Sequence, residues 1–164
     1  MKLSSFNSLP ANEAAAVLRP CVDNSRWVAE LVDARPFGDK EQLLAAAEAA
    51  AEPWSEAEID AALARHPRIG ERAEGNSAEA GLSRGEQAGV SRDAVAQAEL
   101  RRLNLAYEEK FGRVFLIRAA GRSTEDILKQ LTSRLDNTPE EEIAVVGQQL
   151  REIALLRLDG AIEP

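Results

Sequence analysis

The 164-residue sequence has one cysteine, one histidine and few aromatic residues. A lone cysteine, Cys21, excludes an internal disulfide and any cysteine-rich zinc or iron–sulfur centre. Without a second histidine to join His66, a metal site of the usual nitrogen/sulfur kind is disfavoured too. Aromatics are 4% of the chain and alanine is abundant, a balance that favours helices over strands. No stretch approaches the ~18 apolar residues that a spanning helix needs. The net charge of −8 lacks the basic excess by which proteins hold nucleic acid or an anionic membrane. The first residues lead into no apolar run, and the last four, Ala161-Ile162-Glu163-Pro164, are not a peroxisomal address. The expectation is a cytoplasmic protein with neither a nucleic-acid nor a membrane partner.

What is present suits a globular chain. Hydrophobic residues at 45% and charged residues at 29% are enough to build a core, which argues against disorder. Helix starts and stops recur along the sequence. Asn12 opens a helix through Leu18, stopped by Pro20; Asn24 or Ser25 caps one to Ala34, ended by Pro36. Asp39 starts an alanine-rich helix to about Ala51, and Ser55 with Glu58 makes a capping box for a helix to about Arg65. The stretch from Gly70 to Gly81 reads as a loop, and a short helix is expected to begin near Ser83. A long helix follows from Ser91 or Arg92 to about Lys110, another from Ser123 or Thr124 to about Leu135, and a last one from Pro139 to Leu158. Between them a glycine-bounded apolar stretch near 111–121 is expected to be non-helical. The fold expected is all-α, a single domain over residues 1–164.

Function is sought where polar residues break these local rules. The last helix carries an apolar stripe at Ile143, Val146, Leu150 and Ile153, and its next position is Arg157. A charge there must be paired or face a cavity, unless its stem packs and its head escapes near the helix end. Ile59, Leu63 and His66 share a face of the Ser55 helix, and Pro67 turns the chain out of the helix at His66. Histidine suits proton transfer near neutral pH, although a partly buried histidine or a C-cap explains the same spacing. Ser83 and Glu86 stand at capping-box spacing, which marks a plain helix start. The same geometry would offer free N–H groups to a ligand oxygen.

Taken in order, His66-Pro67-Arg68-Ile69-Gly70, Ser83-Arg84-Gly85-Glu86-Gln87, Asn104, Tyr107, Lys110-Phe111-Gly112 and Arg157-Leu158 resemble the OHCU decarboxylase family. Trp27, Arg35-Pro36-Phe37, Arg134-Leu135 and Glu141 extend the likeness over nearly the whole chain. OHCU is 2-oxo-4-hydroxy-4-carboxy-5-ureidoimidazoline. The resemblance implies an all-helical homodimer that converts OHCU to (S)-allantoin and carbon dioxide in urate breakdown, without metal or organic cofactor. It places the catalytic histidine on His66, and from the chemistry Glu86 is expected to share the acid/base work. It places substrate contacts on Pro67, on Ser83, Arg84, Gly85, Glu86 and Gln87, on the backbone of Phe115, Leu116, Ile117, Arg118 and Ala119, and on Arg157. In this assignment Glu86 and Gln87 hold N–H groups of the substrate. Where the family commonly has an aromatic after Phe-Gly, this chain has Arg113, a difference that bears on local packing. Two other kinds of function remain open to the residues themselves: hydrolysis of a ureido or hydantoin substrate through His66 and Glu86, and a non-catalytic helical interaction module.

Overall fold

The structure, a computed structural model, describes residues 1–71, 75 and 77–164. Among these residues the chain is helical, with no strand beyond an isolated bridge between Lys2 and Glu163. A six-residue helix that the sequence does not announce, α1 (Leu3–Ser8), starts without a side-chain cap. α2 (Ala11–Leu18) stops ahead of Pro20. The next starts fall on the residues that can cap them. The Asn24 side chain accepts from the Trp27 N–H at the head of α3 (Ser25–Asp33), and Asp39 does so from Gln42 for α4 (Lys40–Ala50). At α5 (Glu56–Leu63) the Glu58 N–H donates to Ser55 Oγ at 3.1 Å and the Ser55 N–H donates to Glu58 Oε1 at 3.0 Å, the reciprocal box. Asp93 caps α7 (Ala94–Phe111) and Ser123 caps α8 (Thr124–Arg134). Thr138 and Glu141 form the second box, at α9 (Pro139–Ala161).

Three starts are corrected: α2 begins at Ala11, just ahead of Asn12, and α7 is capped by Asp93 rather than opened by Ser91 or Arg92, while the helix expected near Ser83 is displaced furthest. α6 spans Ala78–Glu86, and its cap is Ser77, whose side chain accepts from the Ala80 N–H. Ser83 lies inside this helix rather than at its head. Of the loop expected over 70–81, residues 72–74 and 76 lie outside the described residues, and 78–81 is helix. The physical reason is that Gly81 and Gly85 weaken a helix by about 1 kcal/mol each relative to alanine but do not forbid it, and the Ser77 cap offsets part of that cost.

The chain folds as two compact bodies, residues 1–62 with 151–164, and residues 63–150; α9 contributes to both. In the first body α3 packs against α2 and α4. Phe6, Leu18, Trp27, Leu31, Leu43 and Leu158 are fully buried there, each stabilising by roughly 1.5–3 kcal/mol. The Trp27 indole N–H, which such burial would otherwise strand, donates to the Ala47 carbonyl at 2.9 Å. In the second body α7 packs against α8 around a core of Leu100, Leu103, Tyr107, Phe115, Ile127 and Leu131. Residues 114–119 are not helical, as expected; α7 ends in a left-handed cap at Gly112 (φ 70°) that turns the chain into this segment.

Glu58 also closes a loop between α3 and α5. Besides the Ser55 N–H it accepts from the Asn24 amide at 2.5 Å and from Arg26 Nε at 3.1 Å. Burial pushes its carboxyl upward, but the bonds from Ser55, Arg26 and Asn24 outweigh that and hold it down at about 2. The folded carboxyl therefore releases its proton more readily than the unfolded one. Between the unfolded value of 4.5 and the folded value of about 2 the unfolded chain binds more protons, so Glu58's contribution to stability is present above that window and is lost as pH falls through it. Melting temperatures recorded from pH 6 to pH 2 are expected to fall less steeply for Glu58→Gln than for the parent below about pH 4.5. Parallel curves over that window would mean that Glu58 is not tied in as described.

Candidate functional site

His66 follows the end of α5 in a turn, its N–H donating to the Leu63 carbonyl at 3.0 Å. It is half-buried, as Pro67 is. The chain after it is fixed at three points. The Asn104 amide of α7 donates to the Ile69 carbonyl at 3.0 Å. The Gly70 N–H donates to Gln87 Oε1 at 2.9 Å, and Arg92 Nη1 donates to the Gly70 carbonyl at 3.1 Å. Gly70 itself has φ +89°, a conformation that side chains rarely adopt, and a Cβ there would meet Leu100 Cδ1 at 3.1 Å. The backbone conformation favours glycine, the Leu100 methyl leaves little room for a side chain, and the turn that carries His66 is tied to α6 and α7.

The run Ser83 to Gln87 forms the C-terminal end of α6, with Gln87 as its C-cap. This reverses one expectation about its chemistry. A helix C-terminus presents carbonyl oxygens and the negative end of the dipole, so the backbone here cannot act as an anion-binding helix N-terminus. Side chains must supply the donors. Ser83 and Gln87 are buried, Glu86 and Arg84 are half-buried, and Arg84 Nη1 donates to the Gly75 carbonyl at 3.0 Å. Nothing lies within 4 Å of a Cβ built on Gly85, so the backbone there is open. The Gln87 amide oxygen accepts this one bond from the Gly70 N–H, and an amide oxygen has a second lone pair.

Phe115, Leu116, Ile117 and Ala119 are buried and Arg118 is half-buried. Phe115, Ile117 and Ala119 share a hydrophobic cluster with Ile69, beside His66, and Val90, just beyond Gln87. The second body therefore brings together three of the four expected parts: the His66–Gly70 turn, the end of α6 and the 115–119 segment. Arg157 belongs to the first body. It is only 5% exposed, so its head does not escape to solvent as one sequence alternative allowed. Its Nη1 donates to the Pro20 carbonyl at 3.0 Å. The neighbouring Cys21 thiol is buried and pushed up to about 12, chiefly by that burial, with the Arg157 charge acting against it.

A cavity of about 310 Å³ lies next to this site, lined by Arg68, Gly70, Gln97, Arg101, Asn104 and Leu105 among others. It takes in none of the expected site residues. Among the described residues no cluster of three histidine, cysteine, aspartate or glutamate side chains could hold a metal ion.

One buried polar cluster escaped sequence reading. Glu142 is fully buried, and its Oε1 accepts from Tyr107 Oη at 2.5 Å and from Arg134 Nε at 2.8 Å. Arg134 Nη1 in turn donates to the Leu116 carbonyl at 2.7 Å, inside the expected substrate segment. The signal was available: Glu142 stands one turn before Val146, in register with the α9 stripe that singled out Arg157.

Comparison with known proteins shows the family of the chain. The model of the OHCU decarboxylase family matches residues 7–159. The 2-oxo-4-hydroxy-4-carboxy-5-ureidoimidazoline decarboxylase of Amia calva is 32% identical, over 99% of this chain and 95% of that one. The Haloferax volcanii protein of the same name is 28% identical, over 96% and 94%. A crystal structure of OHCU decarboxylase in the presence of (S)-allantoin superposes with a TM-score of 0.70 at 24% identity, covering 85% of this chain and 92% of the other, which shows the shared fold. The chain belongs to the OHCU decarboxylase family.

Proposed function

We propose that the protein catalyses the decarboxylation of OHCU to (S)-allantoin and carbon dioxide, the closing step of urate breakdown, without a metal or an organic cofactor. The observation that carries this reading is the joining of the His66–Gly70 turn to the end of α6 through the Gly70–Gln87 bond, within a chain that the family matches almost end to end. That match runs through both bodies, which supports treating residues 1–164 as one functional domain. The homodimer and the cytoplasmic location implied by the resemblance complete the proposal.

The substrate brings its own electron sink. Its carboxylate sits on C4 beside a C5=N imine. When the C4–carboxylate bond breaks, its electron pair moves into the C4–C5 bond and the imine pair moves onto nitrogen, which takes a proton. The resulting enol then takes a proton at C5 and loses one from the C4 hydroxyl, giving the C4 carbonyl of allantoin. The net reaction consumes one proton. The protein has to orient the carboxylate, stabilise the enol-like intermediate and deliver the C5 proton to one face.

In this scheme His66 addresses the C4 hydroxyl and carboxylate region and moves a proton. Glu86 accepts from ring or ureido N–H groups and shares acid/base work. Ser83 and the Gln87 amide address substrate carbonyls, and the 115–119 backbone holds the hydantoin edge. Pro67, Arg84 and Gly85 shape the wall. Arg157 binds a ring oxygen whose negative charge grows as carbon dioxide leaves, because a tight pair with the departing carboxylate would stabilise the ground state and oppose the reaction.

Three outcomes follow. His66→Asn is expected to lower turnover of freshly generated OHCU by about 10²–10⁴-fold with an unchanged helical circular-dichroism spectrum. Near-parental formation of the (S) product, read by optical rotation, would remove His66 from the chemistry. Arg157→Lys keeps the charge but loses the planar fork, and should weaken kcat/KM by about 2–4 kcal/mol; parental kinetics would leave Arg157 with a purely structural part. Treatment with a chelator should leave the rate unchanged, whereas loss of activity restored by added zinc or magnesium would contradict a cofactor-free reaction.

A further inference from the structure

The 115–119 segment has to hold its backbone still without belonging to a sheet. Two side-chain bonds grip it. Arg134 Nη1 donates to the Leu116 carbonyl at 2.7 Å, and the Arg118 N–H donates to Gln149 Oε1 at 2.9 Å. The two gripped groups are two residues apart, the period at which an extended chain returns to the same edge. Ile117 lies between the two gripped groups, and in extended backbone its own N–H and C=O face the opposite edge.

The first grip is itself braced. Arg134, the last residue of α8, is 5% exposed. Its Nε and Nη2 both donate to Glu142 Oε1, at 2.8 and 2.5 Å, which fixes the plane of the guanidinium and leaves Nη1 directed at Leu116. The same guanidinium stacks 4.4 Å from the Phe115 ring centre. Glu142 is held on its other oxygen by the Asn137 amide at 2.9 Å. Glu142 and Gln149 are seven residues apart on α9, two turns on one face. One helix face therefore sets both grips, the first through Arg134 and the second directly.

We propose that Arg134, clamped by Glu142, is a positioning residue for the decarboxylation: it holds the Leu116 carbonyl and the Phe115 ring so that the Ile117 peptide groups stand ready for the hydantoin edge of the substrate. The proposal rests on the reading that OHCU is the substrate and that 115–119 touches it. A lysine cannot make the brace, because one ammonium cannot hold Glu142 and Leu116 in a fixed plane together.

The test uses Arg134→Lys in the full chain, with two readouts on one preparation. Amide hydrogen exchange is followed at 115–119 and, as a control, at Leu100 and Leu103 in α7. Steady-state constants are measured with freshly generated OHCU. The expected result is exchange at 115–119 at least tenfold faster with α7 unchanged, and KM raised about tenfold with kcat within threefold. Unchanged exchange at 115–119 overturns the brace. Faster exchange with parental KM overturns the positioning role, and equal acceleration in α7 reduces it to general loosening and overturns it too. Should Arg134→Lys fail to fold, Asn137→Ala decides. It removes only the bond to the far oxygen of Glu142, and should move both readouts two- to threefold in the same direction; parental values there overturn the proposal. The underlying substrate reading is judged separately, on the unmutated protein: inactivity of that protein towards OHCU overturns the reading and the proposal with it, whereas failure of the brace alone leaves it active.

Discussion

Glu142 is a carboxylate without access to water, and much of the second body is arranged around keeping it compensated. A charge in that position costs several kcal/mol unless it is paired and its lone pairs are filled. Four donors converge on it, from Tyr107 on α7, Arg134 on α8 (twice) and Asn137 before α9. The cost of meeting that demand is geometric. α7, α8 and the start of α9 must approach one point, and Arg134 must lie flat beside Phe115 with one arm to spare. Removing Arg134 would leave Glu142 buried without an opposite charge, an effect on the order of 3–5 kcal/mol. Burial pushes the Tyr107 hydroxyl well above its usual range, and its bond to the Glu142 carboxylate adds to this, so it serves as a fixed donor.

From this point the site is reached in two short steps. Arg134 hands the constraint to the 115–119 segment, and Phe115, Ile117 and Ala119 hand it through the shared cluster to Ile69, three residues from His66. On the other side of Ile69 the constraint is local. Gly70 accepts a left-handed backbone against Leu100, and its N–H and carbonyl are taken by Gln87 and Arg92. The residues proposed to act on substrate are thus held by residues outside the proposed site. Decarboxylation of a substrate that carries its own electron sink asks for this kind of rigidity, since orientation and fixed donors are most of what the protein can add.

Local signals in the sequence transferred well to the structure. Asn24, Asp39, Ser55, Ser123 and Thr138 each cap the helix they were expected to cap, because a cap depends on a few neighbouring residues. The α9 stripe placed Arg157 correctly on a buried face for the same reason. α6 was misplaced where two weak rules conflicted: Gly81 and Gly85 suggested an interruption, and Ser83 with Glu86 imitated a start that Ser77 provides. α1 has no side-chain cap at its start, so nothing marked it. The Arg134–Glu142 pair was out of reach for another reason. It is made between side chains from different helices, and spacing along the chain does not say which buried charge meets which. Of the proposed site, the ordered motifs gave the candidate residues, but which end of α6 they occupy, and that Gln87 accepts from Gly70, needed coordinates.

The central claim is that this chain removes carbon dioxide from OHCU and delivers the replacing hydrogen to one face of C5. The measurement that bears on it most directly uses OHCU carrying carbon-13 in its carboxylate, generated in situ in deuterium oxide and followed by carbon-13 resonance and optical rotation with the unmutated protein present or omitted. The account predicts labelled carbon dioxide appearing faster with protein than in buffer, together with (S)-allantoin bearing deuterium at C5. Label retained in a carboxylate while ammonia is released, or racemic allantoin forming at the buffer rate, would contradict it.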